Sequence, residues 1–158
     1  MAGVFPRVRE RHPGARVIVV GSEMLHYSVT AAPGVEVRGF VEDVREPLGQ
    51  YALFVCPILS GSGIRVKLLE AFAAGIPCVS TLVGAEGISA KDGALCRLAD
   101  KPDAFARAIV ELFENPGEAE AMARRARTYV ENEHARGPLT EKLVDSYRRL
   151  IERKRIGG

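Results

Sequence analysis

The 158-residue chain contains no tryptophan, and aromatic residues make up only 6% of it. A surface that stacks single-stranded bases on aromatic rings is therefore not expected. The charge is nearly balanced, with 22 Lys and Arg against 20 Asp and Glu. Such a balance argues against a protein that binds a polyanion through a strong positive field, so we expect no nucleic-acid partner.

Cysteine is also scarce, with three residues in the whole chain. A small, odd number favours free thiols in a reducing compartment over a disulfide framework. No apolar run approaches the length of a membrane span, and residues 1–12 lack the apolar core of a signal peptide. We therefore expect no transmembrane segment and a cytoplasmic location.

The remaining composition is that of a folded domain, with 47% hydrophobic and 27% charged residues. These values exclude a disordered tail, a collagen-like repeat and a coiled coil. A chain of this size buries roughly 70% of its extended surface on folding, which is enough for one core. We predict one domain over residues 1–158.

Short β-branched runs alternate with amphipathic segments along the chain. This order predicts an α/β fold with a parallel sheet covered by helices on both faces and a helical C-terminus. The chain starts in a helix whose apolar residues are Val4, Phe5 and Val8. We predict strands at 16–20, 35–41, 51–56, 78–81 and 95–98, and later helices at 24–32, 46–50, 65–74, 102–114, 117–133 and 139–155.

Residues 57–71 are the part of the sequence that best indicates a binding site. They run from a strand end through a Gly/Ser loop into a helix. In open α/β sheets, ligands bind outside the carboxyl ends of the strands. Gly61 and Gly63 allow the backbone to approach a ligand, and the helix N-terminus attracts anions. Lys67 adds a full positive charge, so the pattern indicates a phosphate site.

Glu70 lies on the same helix face as Lys67, about 10 Å along the axis from Gly63. A carboxylate there can accept hydrogen bonds from vicinal hydroxyls such as those of a ribose. A plainer interpretation is equally open: Lys67 and Glu70 form a surface pair, and the glycines form a turn. The Gly-Ser-Gly run matches neither G-x-G-x-x-G nor the P-loop pattern.

Residues 57–88, PILSGSGIRVKLLEAFAAGIPCVSTLVGAEGI, resemble the donor-binding motif of bacterial group 1 retaining glycosyltransferases, which have the GT-B fold of two Rossmann-like domains. Segments 15–23 and 35–48 resemble earlier parts of the same domain. The resemblance extends from about Val4 to Ile151 and is closest to the C-terminal, donor-binding half. Cys78 replaces an aliphatic residue that is usual in this motif.

The resemblance implies a nucleoside-diphosphate sugar as donor substrate and transfer of a hexosyl group, with no metal or cofactor. Glu70 would hold the ribose hydroxyls, and Phe40 and Val41 would lie near the base. Ser62 stands where the family often has a glutamate that contacts the sugar. The residues implied in diphosphate binding are Gly61, Ser62, Gly63, Ile64, Arg65 and Lys67.

Full-length transferases of this kind are more than twice as long and carry an N-terminal acceptor domain. We therefore expect a fragment that is inactive alone, from an enzyme of cell-surface glycan biosynthesis with peripheral membrane contact. The strand that normally precedes the first helix, in the middle of the sheet, has no counterpart here. Its loss would expose two strand edges or force the sheet to close up. With the apolar face of helix 139–155, these edges predict self-association, for example as a homodimer.

Several other residues have simpler expected roles. We predict surface or loop positions for His26 and His134, buried positions for Cys56, Cys78 and Cys96, and a solvated face for the arginines of 124–127. The segment from Gly84 to Gly93 follows a strand end and is a candidate lining of the donor pocket. Within it, Glu86 is a weaker candidate for a sugar contact. Two further functions stay open: a non-catalytic nucleotide-binding module, and an α/β interaction domain such as a receiver. A receiver would need an acidic cluster at the ends of the first strands, which the sequence lacks.

Overall fold

The structure, a computed structural model, describes residues 3–21, 33–39, 51–88 and 91–156. The expected helices at 24–32 and 46–50 lie outside the described residues. The elements follow one another in the order α1 (Phe5–Arg11), β1 (Val17–Val20), β2 (Val35–Arg38), β3 (Phe54–Cys56), α2 (Val66–Ala73), β4 (Cys78–Ser80), a 3-10 turn (Val83–Ala85), β5 (Arg97–Leu98), α3 (Pro102–Glu114), α4 (Pro116–Glu133) and α5 (Arg136–Ile156).

All strand pairs are parallel, but the described strands form two sheets rather than the single sheet that we predicted. β1 pairs with β2 from Val17 opposite Val35, while β4 lies between β3 and β5. In the doubly wound order 3-2-1-4-5-6, the first strand separates the second from the fourth. β1 and β3 of this chain correspond to the second and fourth strands of that order. Within the described residues, the sheet has therefore not closed up, and one edge of β1 and one edge of β3 pair with no strand.

The central strand β4 divides the core into two clusters, because successive side chains of a strand point to opposite faces. Val79 packs on one face with residues of α1 and α3, including Val8 and Phe105. Cys78 packs on the other face with Leu68 and Phe72 of α2. Helix α4 contributes to both clusters, through Met122 and Ala126. The predicted α/β fold with helices on both faces is confirmed.

The observed boundaries of α2 and α3 agree closely with the predicted ones, whereas β3 and β5 are shorter than predicted. Helix α3 begins and ends as predicted, and α2 is shorter by one residue at each end. β3 begins only at Phe54, whose N–H donates to Pro77 just before β4 starts. β5 is reduced to two residues, because Asp92 to Cys96 form a turn closed by a hydrogen bond from the Gly93 N–H to the Cys96 carbonyl.

Helix α5 begins at Arg136, earlier than predicted, and includes Gly137 and Pro138 in its first turn. Proline is tolerated there because the first helical N–H groups have no partner inside the helix. At the other terminus of the chain, α1 buries Val4, Phe5 and Val8, as predicted.

Candidate functional site

The predicted site is a loop of residues 57–64, here called the glycine loop, between the carboxyl end of β3 and the start of α2. Because Cys56 is in register with Ser80, this loop leaves the sheet beside the exit of β4. Gly61 and Gly63 have φ values of +124° and +87°. These backbone conformations are accessible to glycine at little cost, so the loop requires glycine at both positions.

The N-terminus of α2 faces this loop without a side-chain cap. Arg65 holds the N-cap position in an extended conformation, and its carbonyl accepts the N–H of Leu68 at 2.9 Å. The first N–H groups of the helix lack intrahelical acceptors, and the helix dipole adds partial positive charge at this end. The arrangement is suited to an anion that approaches the glycine loop.

The Arg65 guanidinium lies against the glycine loop. Its Nη1 donates to the Ser62 carbonyl at 3.1 Å, whereas Nε and Nη2 are shielded from solvent and have no acceptor among the described residues. A Cβ at Gly61 would lie 2.8 Å from Nη2, so a larger residue there would displace the end of the Arg65 side chain. Buried donors without acceptors are costly, particularly on a charged group. An anion bound in the loop would supply the missing acceptors.

Lys67 is exposed and Glu70 is half-buried on the first turns of α2. The ion pairs of the described residues include neither of them. Lys67 and Glu70 therefore do not form the surface ion pair of the plainer interpretation. Among the described residues, no ion pair competes with a ligand for either group.

The other predicted site residues lie in different parts of the chain, and two of them are outside the described residues. Ser62 and Ile64 lie in the glycine loop, with Ser62 exposed and holding Arg65 through its carbonyl. Phe40 and Val41 lie outside the described residues. Glu86 is exposed, in the segment that follows the 3-10 turn.

That segment, part of the predicted pocket lining 84–93, contacts the glycine loop through Gly87. Gly87 has a φ of +77°, and a Cβ there would lie 2.8 Å from Cγ1 of Ile64. Residues 82–88 thus pack directly on the end of the glycine loop. No local sequence pattern indicates this contact, because it joins residues on different sides of α2 and β4.

The three cysteines are free and buried, as predicted. Burial raises the pKa of each thiol, to about 12 for Cys96, because the thiolate loses its hydration. His134 lies at the end of α4, 3.3 Å from the Tyr129 hydroxyl, and His26 lies outside the described residues. Arg124 and Arg127 pair with glutamates of α4, as expected of a solvated face. Arg125 pairs with Glu118 but also donates to the Gly93 and Ala94 carbonyls, so it holds the segment before β5 as well.

Two kinds of feature are absent from the described part of the chain. It holds no group of three or more His, Cys, Asp or Glu side chains arranged to bind a metal ion. None of its helices combines the length and apolar character that crossing a membrane requires.

Solved glycosyltransferases share this fold. The chain is similar to Anabaena Alr3699/HepE in complex with UDP, with a TM-score of 0.80 and 16% identity over 93% of this chain and 44% of that one. It is also similar to the C-terminal domain of the group 1 glycosyl transferase LpcC from Francisella tularensis, with a TM-score of 0.69 and 17% identity over 85% of this chain and 80% of that one. The fold is thus the Rossmann-like α/β fold of GT-B C-terminal domains.

The family model of the group 1 glycosyl transferases matches residues 1–115, and the chain belongs to this family. A sequence relative from Klebsiella pneumoniae, an uncharacterized 44.6 kDa protein in the cps region, is 23% identical over 141 residues. That match covers 83% of this chain but only 36% of the relative. The chain therefore spans less than half the length of the Klebsiella and Anabaena proteins.

Proposed function

We propose that this chain is the donor-binding part of a retaining glycosyltransferase and binds a nucleoside-diphosphate sugar at the glycine loop. The observation that carries the proposal is the Arg65 guanidinium, whose Nε and Nη2 are buried beside an uncapped helix N-terminus without acceptors. A diphosphate is an anion of suitable charge for this position. The UDP complex of the Anabaena relative favours UDP as the nucleotide.

Each residue of the site has a role in this proposal. Arg65, Lys67 and the backbone from Gly61 to Ile64 stabilise the negative charge that develops on the departing diphosphate. Glu70 accepts hydrogen bonds from the ribose hydroxyls, and Phe40 and Val41 lie near the base. The cationic side chains and the helix N-terminus supply the positive charge, so the proposed reaction needs no metal and no cofactor.

The acceptor and the second half of the active site belong to a domain that this chain does not include. We propose that the chain alone binds the donor but does not transfer a hexosyl group. The location of the Klebsiella relative in a cps region supports a role in cell-surface glycan biosynthesis. The free thiols support a cytoplasmic location, with peripheral membrane contact in the full-length enzyme.

Calorimetric titration with UDP, GDP and ADP tests the binding site. We expect one nucleoside diphosphate to bind the wild type, and Glu70→Ala to weaken that binding by at least about tenfold, since hydrogen bonds to charged groups contribute about 1.5–3 kcal/mol. Glu120→Ala is the matched control, because it removes an exposed carboxylate from α4, away from the glycine loop.

The outcomes of this titration separate the alternatives. Binding of none of the three nucleotides by the wild type would overturn the donor site. Binding that Glu70→Ala and Glu120→Ala leave equally unchanged would refute the ribose role of Glu70. A non-catalytic module would show the same binding, but would stay inactive when the chain is joined to an acceptor domain.

A further inference from the structure

We propose that Thr81 is a positioning residue that holds the glycine loop in the conformation needed to bind diphosphate. This inference rests on the proposed donor site. Thr81 follows β4 and is only 3% exposed, although it carries a polar side chain. Among the described residues, Thr81 forms no hydrogen bond with Arg65 or with the N-terminus of α2. Its effect on a bound ligand would therefore be exerted through the glycine loop.

Thr81 joins two regions that are distant in the sequence, residues 56–58 and residues 81–84. Its hydroxyl donates to the Ile58 carbonyl, at the start of the glycine loop, and accepts the N–H of Gly84 at 2.9 Å. Its backbone N–H donates to the Cys56 carbonyl at 3.3 Å, at the end of β3. One buried residue thus ties the exit of β3, the exit of β4 and the 3-10 turn together.

Gly84 is required for this junction by its surroundings. A Cβ at Gly84 would overlap Oγ of Ser80 and would lie 2.8 Å from the Cys56 carbonyl oxygen and 3.0 Å from Oγ1 of Thr81. Real Cβ atoms do not approach backbone oxygens so closely, so a larger residue would push the 3-10 turn away from Thr81. Because Gly87 of the same segment packs on Ile64, the turn supports the glycine loop at both ends.

The glycine loop needs such support because little else orders it. It has no regular secondary structure, its residues 59–64 are exposed, and its two glycines at positive φ have the largest conformational freedom of any residue type. Fixing the Ile58 carbonyl limits the positions that Gly61 to Ile64 can reach. A loop ordered before binding loses less entropy when the ligand arrives, which raises affinity.

Thr81→Val is the informative variant, because valine keeps the shape of threonine but neither donates to Ile58 nor accepts from Gly84. Ser80→Ala is the matched control. The Ser80 hydroxyl is also fully buried and donates to backbone carbonyls, those of Cys56 and Thr81, but it makes no hydrogen bond to the glycine loop. Thr81→Ser keeps the hydroxyl and tests for rescue.

Two readouts of the full chain distinguish positioning from stability. We expect Thr81→Val to weaken UDP binding by about tenfold or more, since a loop that is not ordered before binding must be ordered by the ligand at a cost in affinity. We also expect it to accelerate amide hydrogen exchange at residues 58–64 while exchange in α3 and α4 is unchanged. Ser80→Ala should change neither readout, even if its midpoint in urea falls, and Thr81→Ser should restore both.

The outcomes are distinct from those of the titration above. Wild-type binding that Thr81→Val leaves unchanged would overturn the positioning role and leave the donor site standing. Equal losses of affinity in Thr81→Val and Ser80→Ala, with faster exchange throughout the chain, would show a general loss of stability and also overturn it. Failure of the wild type to bind any nucleoside diphosphate would overturn both proposals.

Discussion

At the scale of single residues, the three thiols show how burial controls chemistry. Cys78 and Cys96 are fully buried, and burial raises the pKa of both thiols, that of Cys96 to about 12. Because the thiolate is the nucleophile, these groups are expected to be unreactive while the chain is folded. The structure therefore assigns the cysteines to packing, in agreement with the prediction from their strand positions.

We predict that a thiol reagent at pH 8 labels Cys78 and Cys96 slowly in the native chain and rapidly in denaturant. The raised pKa also gives a pH dependence. The folded chain keeps the Cys96 proton above the unfolded pKa of about 8.5, so the free energy of unfolding should fall as pH rises from there towards about 12.

Urea denaturation at pH 7.5 and pH 10 measures this trend. Cys96→Ala is the control, because its stability should change less over the same interval than that of the wild type. Rapid labelling of the native chain at all three cysteines would contradict the buried placement.

At the scale of elements, α2 couples the core to the site. Leu68, Ala71 and Phe72 on one face are fully buried, while Val66 and Lys67 are exposed at the helix start. The helix ends at Ala73 and is followed by Gly75, with a φ of +71°, where the N–H of Ile76 donates to the Ala71 carbonyl. Burial of this face thus sets the direction in which the N-terminus of α2 points.

We predict that Leu68→Ala lowers the free energy of unfolding by about 2–5 kcal/mol, because it opens a cavity in a packed core. Val66→Ala, at the exposed start of the same helix, should change it by less than about 0.5 kcal/mol. Urea denaturation followed by circular dichroism compares the two variants. Similar losses in both would show that the face we describe as buried does not carry the packing.

At the scale of the whole molecule, two surfaces of the described chain remain uncovered, one formed by polar backbone groups and one by apolar side chains. One consists of the edges of β1 and β3 that pair with no described strand. The other is a face of α5 on which large apolar side chains are exposed, with Tyr147 at 59% and Leu150 at 60%. Exposed strand edges and apolar faces are both surfaces through which chains associate.

We predict that the purified chain self-associates, with a mass in light scattering that rises with protein concentration. Leu150→Asp should reduce association through α5, while Arg149→Gln, a substitution of a neighbouring charged residue, should not. Association that persists in Leu150→Asp would indicate the strand edges as the contact. A clean monomer at high concentration would show this prediction to be wrong.

The sequence by itself determined much of the local structure of the described chain and indicated the position of the proposed site. Periodic apolar residues and a first-turn proline define α3 from Pro102 to Glu114, since a helix places residues three and four apart on one face. Strands alternating with helices imply the parallel α/β fold. The Gly/Ser loop before Lys67 marks the site, because glycines and a helix N-terminus are recognisable in a short segment.

Only the tertiary structure decided which segments meet. Three features depend on contacts between chain segments. They are the division of the strands into two sheets, the burial of the Arg65 guanidinium and the hydrogen bond from Thr81 to Ile58. Thr81 and Ile58 are 23 positions apart, and no periodicity connects them. Local patterns specify which face of an element is apolar, but the positions of loop atoms follow from the packing of all elements together.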